Sequence, residues 1–145
     1  MEYKILNKKE IKKFLKDLEK EFKIKPKLDY IFLKNNKGKI FIINKSFANL
    51  NINKLKINNI GLYIARQEKN NLRLTIEGSI LLKNSKNTLN LTEKQMYDHM
   101  KGLELNIKEK DGNYILKHKN TFLGSSKIKN NKLLNYIPKS RRIKL

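Results

Sequence analysis

The brevity of the apolar runs limits what this chain can fold into more than any other feature. Tyr30-Ile31-Phe32-Leu33 and Ile40-Phe41-Ile42-Ile43 flank Lys34-Asn35-Asn36-Lys37-Gly38-Lys39. Asn and Gly supply turn geometry, so the spacing predicts a β-hairpin. Gly61-Leu62-Tyr63-Ile64-Ala65-Arg66 and Leu72-Arg73-Leu74-Thr75-Ile76 predict a second hairpin across residues 67–71. Alternation in its second strand sends Leu72, Leu74 and Ile76 inward and Arg73 and Thr75 outward. No run reaches the ~18 residues of a spanning helix. The opening MEYKILNKKEIKKF lacks an apolar signal core.

Helical spacing occurs mainly in two places. Asn7 with Glu10 three residues on forms a capping-box pattern, and Ile11, Phe14, Leu15, Leu18 and Phe22 then share one face. Lys25-Pro26 is expected to end this helix, because the residue before proline avoids helical geometry. In the second half Thr92 and Gln95 form another box, with Leu91 placed to staple Met96. That helix is expected to run to Lys101 and stop at Gly102. A short helix near residues 46–50 is one reading of a stretch where Phe47, Leu50, Ile52, Leu55 and Ile57 are irregularly spaced. Residues 77–82 read as a helical turn.

Residues 83–87 are polar and read as a linker, which divides the chain into 1–82 and 83–145. After it come a strand at 88–91, the helix, and an alternating strand through Leu103, Leu105 and Ile107. Asp111-Gly112 is a strong hairpin signal. Strands follow at 114–117, 122–128 and 133–137, with Asn130-Asn131 turning between the last two. The predicted class is α+β: an N-terminal α/β module, then a small β-barrel carrying one helix.

Charge decides the function class. Lys+Arg number 34 against 13 Asp+Glu, a formal charge of +21. Such a chain repels itself unless a polyanion compensates, and nucleic acid is the first candidate, an anionic membrane surface the second. Lys, Asn and Ile are what AT-rich coding over-supplies, so the four arginines, Arg66, Arg73, Arg141 and Arg142, carry more weight. The absence of cysteine excludes disulfides and thiolate metal sites and leads us to expect a cytoplasmic location.

Common enzyme signatures are missing. His99 and His118 lack metal-ligand spacing, and both are expected at the surface or half-buried. Gly124-Ser125-Ser126-Lys127 resembles part of a phosphate loop but lacks its first glycine. The expectation is a non-catalytic protein without cofactor or metal. A basic strand remains: in Ser125-Ser126-Lys127-Ile128-Lys129 the lysines share one face and Ile128 takes the other. Tyr97 and Tyr136 offer rings for stacking.

Phe122-Leu123-Gly124-Ser125-Ser126-Lys127-Ile128-Lys129, followed by Leu133-Leu134-Asn135-Tyr136-Ile137-Pro138-Lys139-Ser140-Arg141-Arg142, resembles the end of PUA-type RNA-binding domains. It is most similar to the version carried by the NOL/NOP/Sun family of RNA methyltransferases. The stretch from Thr92 to Gly102 resembles the PUA helix that ends in a glycine beside RNA. In layout, residues 1–82 resemble the pre-PUA domain of the small nucleolar pre-rRNA-processing PUA protein and its archaeal relatives. The resemblance implies RNA binding, to structured rRNA or tRNA, as a ribosome-assembly or RNA-modification accessory. It implies no methylation, since the methyltransferase domain and its cysteine nucleophile are absent. The site it implies comprises Lys94, Tyr97, Lys101, Gly102, Lys127, Lys129, Lys139, Arg141 and Arg142. Gly102 would admit a close backbone approach, and Pro138 would fix the turn that delivers the last basic cluster. A rival expectation is a protein-docking, targeting subunit of a split RNA-modifying enzyme, with a catalytic or ribosome-assembly protein as partner. A weaker one is a cryptic RNA-modifying enzyme.

Overall fold

Asn7 opens the first helix as its spacing predicts. In the computed structural model, which describes residues 2–48 and 61–144, the Asn7 side chain accepts from the Glu10 amide at 2.9 Å, and the Glu10 carboxylate accepts from the Asn7 amide at 3.1 Å. The helix, α1 (Lys8–Phe22), buries Phe14, Leu18 and Phe22. It ends before Pro26 takes effect. Lys23 turns left-handed at φ 52° and closes the helix through its amide to the Glu19 carbonyl. The expected Lys25-Pro26 stop is therefore late.

Strands β1 (Tyr3–Ile5), β2 (Ile31–Asn35), β3 (Lys39–Ile43), β4 (Leu62–Glu68) and β5 (Asn71–Leu74) form an antiparallel sheet in chain order. Both hairpins fall where turn residues predict them. The edge strand β1 was not expected, because three residues are too few to show a period. Gly38 sits at φ +80°, and a Cβ there would stand 2.2 Å from the Gln67 carbonyl oxygen. One face of the sheet packs Phe32, Ile40, Ile42, Ile64, Leu72 and Leu74 against α1.

Ile76 departs from its expected strand. Thr75 instead caps α2 (Ile76–Leu81), its hydroxyl accepting from the Gly78 amide at 3.0 Å. Residues 45–47 form one 3-10 turn, and Leu50, Ile52, Leu55 and Ile57 lie outside the described residues.

The second sheet contains β6 (Thr88–Asn90), β7 (Leu105–Asn106), β8 (Gly112–His118), β9 (Thr121–Lys129) and β10 (Lys132–Leu133), in the order β6-β8-β9-β10-β7. It curls into a half-barrel over α3 (Glu93–Met100), completing an α+β fold. β6 runs parallel to β8, and β7 pairs with β10 at the far edge. Asp111-Gly112 is therefore not a hairpin turn, because the strand before it never pairs with β8. Its carboxylate accepts from the Asn130 amide at 3.0 Å. Asn130 and Asn131, both at positive φ, make the tight turn expected of them.

The two sheets share packing. Ile115 of β8 joins the core under α1. Gly124 forms a bulge in β9 at φ +87°, where a Cβ would lie 3.1 Å from the Leu74 carbonyl oxygen. The next residue, Ser125, accepts from the Leu74 amide at 2.7 Å. Residues 83–87 are packed rather than slack. Ser85 is buried with its hydroxyl on the Phe22 carbonyl, and the Lys86 amide donates to the Lys23 carbonyl at 3.4 Å. Among the described residues no helix is long and apolar enough to cross a membrane.

Candidate nucleic-acid interface

The end of α3 is the centre of the candidate site. Thr92 and Gln95 complete their capping box, with hydrogen bonds of 3.2 and 2.9 Å. Leu91 before the cap and Met96 after it pack in one core, as a staple requires. At the other end Gly102 adopts φ +97°. Its amide donates to the His99 carbonyl at 2.9 Å, and the Leu103 amide donates to the Asp98 carbonyl at 3.1 Å. This pair of bonds is a Schellman closure, which favours glycine at the left-handed position.

Gly102 does a second thing. A Cβ added there would stand 2.7 Å from Arg142 Nε and 2.8 Å from Arg142 Cζ. The group that approaches the bare glycine is thus the Arg142 side chain, held by its Nε donating to the Ile137 carbonyl at 3.1 Å. The expected close approach exists, but its occupant is a guanidinium from the same chain.

The Asn-Tyr-Ile-Pro-Lys stretch carries Arg142 to this place. Asn135 Nδ2 donates to the His99 carbonyl at 2.8 Å and the Leu103 carbonyl at 2.9 Å, while its Oδ1 accepts from the Ile137 amide at 3.0 Å. This side chain therefore clips the C-terminal segment to the end of α3. The segment leaves the sheet after Leu133, so the strand expected through residue 137 is only Lys132–Leu133. Pro138 leads into a 3-10 turn at Lys139–Arg141, and the Ile143 amide returns to the Met100 carbonyl at 3.0 Å.

His99 contradicts its expected exposure: it is 1% exposed. Burial pushes its pKa down from the ordinary 6.5 to about 4, so the ring is neutral at pH 7. His118 is partly exposed, with Nδ1 2.8 Å from the Leu91 carbonyl oxygen.

The remaining expected site residues fall into two groups. Tyr97 is 44% exposed on α3. Lys94 is exposed and paired with Asp98 at 2.9 Å, and Lys101 lies 4.0 Å from the same carboxylate. Lys139 is exposed beside Arg141, which pairs with Glu77 of α2 at 3.2 Å. Partial burial pushes the Glu77 carboxyl up, but the Arg141 hydrogen bond and charge, a backbone amide and the Thr75 hydroxyl together outweigh it and hold the group below the usual carboxylate range. Lys94 and Tyr97 lie earlier on α3, and Lys101, Lys139 and Arg141 adjoin the Gly102–Arg142 contact along the chain. Lys127 and Lys129 do neither. Ile128 between them lies in the core on which Met96 and Met100 of α3 pack, so strand alternation turns both lysines to the opposite face.

Gly124-Ser125-Ser126-Lys127 is not a phosphate loop. Ser125 and Ser126 are buried, the first bonded to the Leu74 amide and the second to the Leu134 carbonyl. Lys39, Tyr63, Arg66 and Arg73 lie outside the site that the resemblance implies. Arg73 covers the Tyr136 ring, with Cζ 4.5 Å from its centroid. Alternation of Leu72, Arg73 and Leu74 shows Arg73 pointing out, but nothing local says what it meets.

Residues 86–143 match the family model described as the Methyltransferase RsmF PUA domain. No curated protein matches the chain. The matched residues take in the curled sheet, the Gly102-ended helix and the segment that seats Arg142, so this C-terminal part of the chain is similar to a PUA domain.

Proposed function

We propose that the protein binds structured RNA, rRNA or tRNA, through its PUA domain and serves as a non-catalytic accessory in ribosome assembly or RNA modification. One observation carries the reading: within the part similar to a PUA domain, Arg142 lies against a side-chain-free helix end, in a segment clipped there by Asn135. Lys101, Lys139 and Arg141 supply further cations around that point, and the exposed ring of Tyr97 offers a stacking surface. Phosphates displace counterions when they dock on such a surface, and shape together with unpaired elements selects the RNA. Lys127 and Lys129 contribute to the field from the opposite face rather than to contacts.

A titration across salt tests this. Log affinity for a folded RNA should fall linearly with log salt, each phosphate contact adding a slope of roughly 0.7–0.9. A flat response would remove the electrostatic mechanism.

The second reading is a docking subunit for a catalytic partner. It draws on Leu103, 51% exposed immediately after Gly102 and beside the exposed Tyr97 helix. A stoichiometric protein partner that survives nuclease treatment would favour it.

A further inference from the structure

A cleft of about 420 Å³ lies between the first sheet and the C-terminal segment. That volume falls within the range of roughly 300–1,000 Å³ for small-molecule sites. Lys39, Tyr63, Arg66 and Arg73 line it from β3, β4 and β5, and Tyr136 and Arg141 line it from the other side. It therefore gathers three of the four arginines of the chain, from both halves of the sequence.

The chemistry of the lining is specific. Four cations face two carboxylates: Glu68 lies 2.8 Å from Arg66 and 3.4 Å from Arg73, and Glu77 lies 3.2 Å from Arg141. The cleft is left positive. Arg73 sits over Tyr136, with Cζ 4.5 Å from the ring centroid, and pairs with Glu68, which limits the positions of its planar fork before any ligand arrives. Its Nε is buried with no hydrogen-bond partner among the described residues. A buried N–H left unpaired costs free energy, which an anionic oxygen would recover once a small shift of the side chain opens Nε to the cleft. Tyr63 adds a half-buried ring, backed by the Phe41 ring at 5.3 Å between centroids and with Lys39 Nζ 5.1 Å from its own centroid, so a base entering the cleft takes the place of the Lys39 ammonium. Restrained guanidinium donors beside an aromatic face suit a phosphate joined to a base.

We propose that this cleft takes one unpaired nucleotide of a bound RNA, its phosphate on Arg73 and Arg141 and its base against Tyr63. The inference rests on the RNA-binding reading and adds to it a pocket that neither half of the chain makes alone. Helix-end contacts hold the fold of the RNA, and the cleft selects those RNAs that offer a free nucleotide nearby.

Two RNA hairpins test it, one fully paired and one identical but for a single bulged adenosine, with affinity measured by fluorescence anisotropy on the full chain. The bulged hairpin should bind about tenfold tighter, the scale of one base stacked on an aromatic ring. Arg73→Gln should erase that preference while leaving affinity for the paired hairpin unchanged. Lys39→Gln, at a partly exposed position, should shrink the preference severalfold and decides the matter if the first variant unfolds. Equal affinity of the wild type for the two hairpins overturns the cleft and leaves RNA binding standing; the cleft then suits an acidic protein segment. A preference untouched in the folded variants also overturns it. Binding of neither hairpin at low salt overturns the RNA reading and the cleft together.

Discussion

The Arg142 side chain occupies the space that a Cβ on Gly102 would need, with Nε only 2.7 Å from that position. Helix termination and the placement of a cation are thus one feature. Glycine is required at the end of α3 both for its positive φ and for what lies against it.

Gly102→Ala should cost about 1–3 kcal/mol of stability, the scale of a strained left-handed position. It should also push Arg142 aside and weaken RNA binding. Because both losses act on one contact, adding Arg142→Ala to Gly102→Ala should lower affinity less than the separate effects combined. Urea unfolding and RNA titration of the four proteins check this. Additive affinity losses would dissociate the two residues.

Arg141 and Arg142 together should account for part of the salt response. Replacing both with alanine should reduce the slope of log affinity against log salt by roughly 1–2, one phosphate contact each. Glu77→Gln should act the other way. It releases Arg141 from its 3.2 Å ion pair and should tighten binding a few-fold at low salt. Parallel lines for wild type and the double variant would place the phosphates elsewhere.

Asn135 should matter more than its polar side chain suggests. Asn135→Ala removes donors from the His99 and Leu103 carbonyls and an acceptor from the Ile137 amide, and should cost about 2 kcal/mol. Asn135→Asp, which sets a carboxylate against those two carbonyls, should cost more than alanine. The thermal melts of the two variants give the order, and an aspartate milder than alanine would contradict the clip.

Acid should destabilise the protein before its carboxylates titrate. His99 is neutral in the folded state down to about pH 4 but takes a proton near pH 6.5 once unfolded. Between those values the unfolded chain binds more protons, so stability falls as pH drops, by about 3 kcal/mol across the window. Melting temperature followed from pH 7 to pH 4.5 measures it. His99→Gln should flatten that stretch of the curve, and an unchanged pH dependence in a folded variant would assign the effect to another group.

Gly78→Ala should lose stability although it lies in α2, where alanine ordinarily gains about 1 kcal/mol over glycine. A Cβ there would stand 2.0 Å from the Ile64 carbonyl oxygen, and backbone cannot move aside cheaply. A stabilised variant would show that β4 and α2 are less tightly pressed together.

Much of this protein was legible in its sequence because the deciding interactions are short-range. Asn7 with Glu10, Thr92 with Gln95, and Gly102 after α3 act within a turn or two of chain, so each end reads from its own residues. The same holds for the hairpins around Gly38 and Asn130-Asn131. Tertiary structure decided what local rules leave open. Only the assembled sheet sends β7 to β10 instead of β8, because strand edges pair according to which apolar faces a common core can bury. Only the return of the C-terminal segment seats Arg142 on Gly102, buries His99 beneath Asn135 and lays Arg73 on Tyr136. These pairs are separated by tens of residues, and no spacing along a chain encodes which distant side chains the packing will bring into contact.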